Sequence, residues 1–254
     1  MAPSSCTELF WGCTSLQEPP ALPALHLASH CYHWAFQDCS SLIHPPKLPA
    51  TTLADGCYQH MFANCSSLLY APKLPALEVP ELAYAVMFDS CVSLTDTPKL
   101  PVSAVYDYGC YSMFRFCTNL SGLPEEISGI PHDTMAYSEM FRGCTSATKA
   151  PKLPATTLAT QCYRRMFYDC KLLTDAPELL AEILPSGCYD QMFTSCSNLS
   201  SITVGFSNWN FEEETTLNWV NGVQTTNGIF NCPSTLLDER GANAIRNNWI
   251  KTDI

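Results

Sequence analysis

Apolar positions in this chain recur in a fixed order within a nine-residue word. In CYRRMFYDC, residues 162–170, they are Cys162, Tyr163, Met166, Phe167 and Cys170. Steps of one, three, one and three place them on one face of a helix and do not fit the alternation of a strand. The same word recurs as CYQHMFANC at 57–65 and CYDQMFTSC at 188–196. Aligned on its phenylalanine, it occurs at Phe10, Phe36, Phe62, Phe88, Phe114, Phe141, Phe167 and Phe193, with six gaps of 26 residues and one of 27. A fixed period of this length is the mark of a solenoid.

Other columns keep the same period. A cysteine follows each phenylalanine by three residues, from Cys13 to Cys196, and a leucine follows by six in every unit except at Ala147. Prolines follow by ten, from Pro20 to Pro177. Seven residues before the phenylalanine stand Ser29, Asp55, Glu81, Asp107, Thr134, Thr160 and Ser186. Six of these are types that cap a helix N-terminus. Two residues after it stand Gly12, Asp38, Asn64, Gly143 and Asp169, types that tolerate the left-handed turn at a helix end. Each unit is therefore expected to hold a two-turn helix, then a short strand that stops at proline. The fold class predicted is an α/β repeat: a right-handed leucine-rich-repeat solenoid of eight units over residues 1–200, closed by a C-terminal capping segment over 201–254. Helices pack wider than strands, so the array should bend with its strands inside.

The words MFANCSSLLYAPKLP and CYRRMFYDC resemble the BspA-type leucine-rich repeats of surface proteins from gut and oral anaerobic bacteria. The shared columns are an aromatic residue, a cysteine three later and a leucine three after that, here Phe62, Cys65 and Leu68. The resemblance covers about residues 6–200, and the following segment from Asn218 to Ile250 resembles the non-repeat tail of such arrays. This chain has a longer unit and two proline columns. The resemblance implies export, a place at the cell surface or in secretion, and a binding or adhesion role. It implies no catalytic residue, cofactor or metal.

Charge and composition fit that picture. The net charge of −11 argues against nucleic acid as a partner. No run of eighteen apolar residues offers a membrane span. The opening MAPSSCTELFWGC has neither the basic nor the apolar region of a signal peptide, so a signal or anchor would lie outside this chain. Fifteen cysteines cannot all pair internally. Their helical placement favours buried thiols over disulfides, and the missing CxxC pairs disfavour zinc. His26, His30 and His33 are spaced like ligands, but a solvated surface accounts for them better. The tyrosine row Tyr32, Tyr58, Tyr84, Tyr137, Tyr163 and Tyr189 could bind glycans, although packing explains it more simply.

The candidate binding residues are those that do not repeat. Eight residues after each phenylalanine stand Glu18, His44, Tyr70, Asp96, Gly122, Lys149 and Asp175. Packing fixes the neighbouring columns and leaves this row free to read an extended partner. Beside it runs a lysine column, Lys47, Lys73, Lys99 and Lys152. The function expected is a surface module that binds an extracellular protein or glycan. The alternatives are a spacer that binds nothing and, more remotely, a hydrolase or thiol enzyme. An uncapped first repeat could also join copies end to end.

Overall fold

The computed structural model describes residues 1–254. It is a β-solenoid with essentially no helix, its only helical element being a 3-10 turn over Phe211–Glu213. The expected unit of a short strand plus a two-turn helix is not formed.

The words are chains of linked turns. Within each one, alternate N–H groups bond in two directions. Cys31 and His33 donate back three residues, to Ala28 (3.2 Å) and His30 (3.3 Å), whereas Tyr32 and Trp34 donate forward to Cys57 (3.0 Å) and Gln59 (3.1 Å) of the next word. In a helix every N–H points along the helix's own axis. Here half are free to join neighbouring words, five bonds to each junction.

This bonding needs a left-handed residue every fourth position. His30, Trp34 and Asp38 have φ of 55°, 57° and 62°, and Gly56, His60 and Asn64 follow suit in the next word. A non-glycine residue in this region costs roughly 1–2 kcal/mol. Three per word thus cost about as much as five hydrogen bonds of roughly 1 kcal/mol contribute, and burial decides the outcome. Phe36 through Phe193 are fully buried and stack face to face, with centroids 5.2–5.9 Å apart from Phe10 onward. Trp219 continues the pile 6.2 Å beyond Phe193.

The expected caps have other work. Ser29 Oγ donates to the Asp55 carbonyl at 3.1 Å, and Ser186 Oγ to that of Glu213 at 3.2 Å, so both link coils. The left-handed conformation at Gly12, Asp38, Asn64, Gly143 and Asp169 is present, but as one step of the turn series, with no helix to end. Because the words stack by backbone hydrogen bonds, they share the strand spacing, and the packing mismatch expected to bend the array does not arise.

Strand pairing is short and parallel. β1 (Glu78–Val79), β2 (Ala104–Val105) and β3 (Ile130–Pro131) form one sheet just ahead of the words. β4 (Asp175–Leu179), β5 (Ser201–Val204), β6 (Ile229–Cys232) and β7 (Ile250–Asp253) form another, after the words. The stack therefore runs on past residue 200. There Asn218 N–H donates to Asn243 Oδ1 (2.7 Å) and Val220 N–H to the Ala242 carbonyl (3.2 Å).

The cysteine column has a specific partner. Cys65 Sγ donates to the Phe36 carbonyl at 3.1 Å, and the same bond recurs from Cys39 to Cys196. That carbonyl also accepts the Cys39 N–H, so the thiol fills its second lone pair. Cysteine is small, apolar and a weak donor, which is what the position asks for. All fifteen cysteines are unpaired, thirteen of them buried. Burial pushes Cys39 up to about 11 and Cys57 up to about 12.

Candidate partner-binding surface

The variable row is continuous in space. Glu18 lies 3.9 Å from His44, whose ring is 5.4 Å from that of Tyr70. Asp96 bridges to Gly122 and Lys149 to Asp175 as parallel pairs, and Asp175 pairs with Ser201. Glu18, Tyr70, Asp96, Lys149 and Asp175 are exposed, and His44 is partly so. Ser201 and Thr174 hydroxyls at 2.6 and 2.7 Å hold the Asp175 carboxyl below the usual range.

Lys47, Lys73, Lys99 and Lys152 stand exposed beside this row. Each sits in a Pro-Lys-Leu-Pro run, and each following leucine (Leu48, Leu74, Leu100 and Leu153) is buried. Extended backbone alternates its faces, so an inward leucine fixes its lysine outward. None of these four, nor Lys149, has a carboxylate within ion-pair distance. Ammonium groups one strand spacing apart repel by about 1 kcal/mol in water before screening, so the fold gains nothing from the ladder. Between coils the strip is hollowed. One depression of about 420 Å³ is lined by Asp96, Lys99, Glu125 and Glu126, and another of about 460 Å³ by Glu126, Lys149, Lys152 and Glu178.

The tyrosine row serves packing. Tyr58, Tyr84, Tyr137, Tyr163 and Tyr189 are buried, and the stacked pairs lie 5.9–6.3 Å apart. The row breaks where Cys110 stands in place of a tyrosine. Among the three histidines, His33 lies 3.8 Å from the Trp34 ring, and burial pulls its pKa down to about 4. His30 Nδ1 meets Ser29 Oγ at 2.8 Å.

A second charged feature lies on the outer side of the words. Glu139 is 3% exposed. It accepts from Arg142 Nη1 at 2.9 Å and Arg165 Nη1 at 3.4 Å, with Arg115 Nη1 at 3.9 Å. Arg115 also pairs with Asp89 at 2.7 Å, and Arg164 with Asp190 at 2.8 Å. The Arg142 guanidinium sits over the rings of Phe116 and Tyr168, at 5.6 and 4.9 Å. These ions tie five consecutive words together. Sequence reasoning passed over them, although their signal was present: Asp89, Arg115 and Arg142 follow their phenylalanines by one residue, and Glu139, Arg164, Arg165 and Asp190 precede theirs by two or three.

Fold and surface together define the chain as a β-solenoid repeat protein. No family model matches it. No curated protein matches it either. Among solved structures it is similar to a leucine-rich repeat protein from Bacteroides ovatus, at 14% identity and a TM-score of 0.28, over 98% of this chain and 86% of that one. A TM-score that low does not make the two backbones one fold, and the solenoid stands on this chain's own hydrogen bonding. No helix is long and apolar enough to cross a membrane.

Proposed function

We propose that this chain is a BspA-like leucine-rich-repeat module, secreted or displayed on a bacterial cell surface, whose variable strip binds an extracellular protein or glycan. In this reading residues 1–200 carry the repeats and 201–254 continue the stack and close it. The module performs no reaction of its own. One observation carries the reading: the row from Glu18 to Asp175 is contiguous and largely exposed, and its residue changes from coil to coil. The leucine column two residues before it, Ala147 excepted, and the proline column two residues after it hold constant, so packing has left this row for another use.

A spacer is the second reading. It is favoured by the unbroken aromatic pile and the ion pairs across words, which make a stiff rod. A panel of matrix proteins and glycans, read with the unmodified protein and with His44→Ser/Tyr70→Ser/Asp96→Ser, separates the two. A binding module has a partner that the triple variant loses while its circular dichroism and melting temperature hold. Loss of an anchoring tyrosine alone is worth about 2 kcal/mol. A stable protein with no partner in the panel is a spacer.

A further inference from the structure

We infer that the strip over the second to fourth coils binds a linear anionic polysaccharide, laid along the solenoid axis with its acidic groups over Lys47, Lys73 and Lys99. This rests on reading the strip as a binding surface, and it names the ligand class.

The same column behaves differently in two stretches. Past the fourth coil its charges alternate: Glu125 and Glu126, then Lys152, then Glu178, with Glu126 and Lys152 in direct register. The repeat can therefore alternate the sign of its own column. Over Lys47, Lys73 and Lys99 it does not, and no carboxylate lies within ion-pair distance of any of the three. Nearby acids are otherwise engaged: Glu18 faces His44, and Asp96 Oδ2 accepts from the Thr95 hydroxyl at 2.8 Å. An uncompensated cationic ladder thus stands on a protein of net charge −11.

Spacing disfavours two other polyanions. Neighbouring coils repeat at about 4.7–4.9 Å, so the ladder offers one cation per coil. An extended acidic peptide presents same-side charges every 6.6 Å or so, and a nucleic-acid duplex one per strand about every 3.4 Å. Both fall out of step within three coils. A pyranose chain turns about each glycosidic bond and is not tied to either of these fixed spacings. Tyr70, half exposed at 50% and flanked by the His44 ring at 5.4 Å, supplies a flat apolar face for a sugar ring between the charges. The prolines on either side of each lysine stiffen its mount.

Biolayer interferometry on immobilised polygalacturonate, dextran sulfate, plain dextran and polyglutamate tests this. The unmodified protein should bind one or both acidic polysaccharides and leave plain dextran and polyglutamate free. Lys47→Gln/Lys73→Gln/Lys99→Gln should lower that affinity about tenfold or more. It should also flatten the log–log salt slope by about 2, at roughly 0.7 per charge released from a single-stranded polyanion. Lys171→Gln/Lys251→Gln, which removes two lysines outside the strip, should bind as the unmodified protein does, and both variants should keep its melting temperature. Equal loss in the two lysine variants, equal binding to polyglutamate, or no binding to either acidic polysaccharide overturns the assignment. If a neutral glycan or matrix protein is still held through His44, Tyr70 and Asp96, only the ligand class fails. If nothing in either panel is held, the binding reading falls with it.

Discussion

Each coil has a half that repeats and a half that does not. In the word, side chains face a shared pile of rings, and the backbone alternates bonds within and between coils. In the strip, every second side chain reaches water. Phe88 and Tyr70 stand at fixed offsets in neighbouring coils, yet the first has seven copies in its column and the second has none. A column is held constant by what its side chain must touch and is released where it touches solvent.

Substitutions in the two halves should separate accordingly. Phe88→Ala should cost about 3–5 kcal/mol in denaturant unfolding, the range for a buried aromatic. A loss below about 1 kcal/mol would erase the contrast. Glu139→Gln comes next, at about 3 kcal/mol, because it strands guanidiniums that are three-quarters buried. If the Glu139→Gln protein melts with the unmodified one, the ion pairs across words are incidental. Gly143→Ala should lose roughly 1–2 kcal/mol, since φ is 74° and the added Cβ would press on the Phe116 ring. In the same column Ser195→Gly, at φ 64°, should gain up to about 1 kcal/mol. Shifts of opposite sign in calorimetry would show that the left-handed step sets the requirement. Smallest is the strip: His44→Ser, Tyr70→Ser and Asp96→Ser should each shift stability by under about 0.5 kcal/mol.

The period, the core columns and the variable row were legible in the sequence because burial alone dictates them. The word's backbone was not. Eight residues of helix turn about 80° beyond two full turns, and that drift fits within an apolar stripe roughly 100° wide. A four-residue turn series and a 3.6-residue helix therefore show the same one-three-one-three steps over so short a word. The left-handed columns would have told them apart, but residues such as Leu82 and Val86 hold that conformation without advertising it. The cysteine column was legible as buried thiol, whereas its bond to the phenylalanine of the previous coil depends on that hidden backbone. The paired stretches at Val79 and Val105 were missed because two-residue strands carry no periodicity.

The bonds between words give the word side of the stack an electrical direction, whereas most strip bonds run the other way. Every bond between words runs the same way, from an N–H to a carbonyl nearer the C-terminus. Each peptide unit carries about 3.5 D, and in most sheets neighbouring strand dipoles cancel. Here five files of aligned amides add along the axis. Carbonyl oxygens make one pole, at the N-terminal end of the pile. N–H groups make the other, and Asn243 and Ala242 meet them there with oxygen. Wherever such a pile ends, two carbonyl poles brought together would set oxygen against oxygen, so the polarity works against head-to-head pairing along that face.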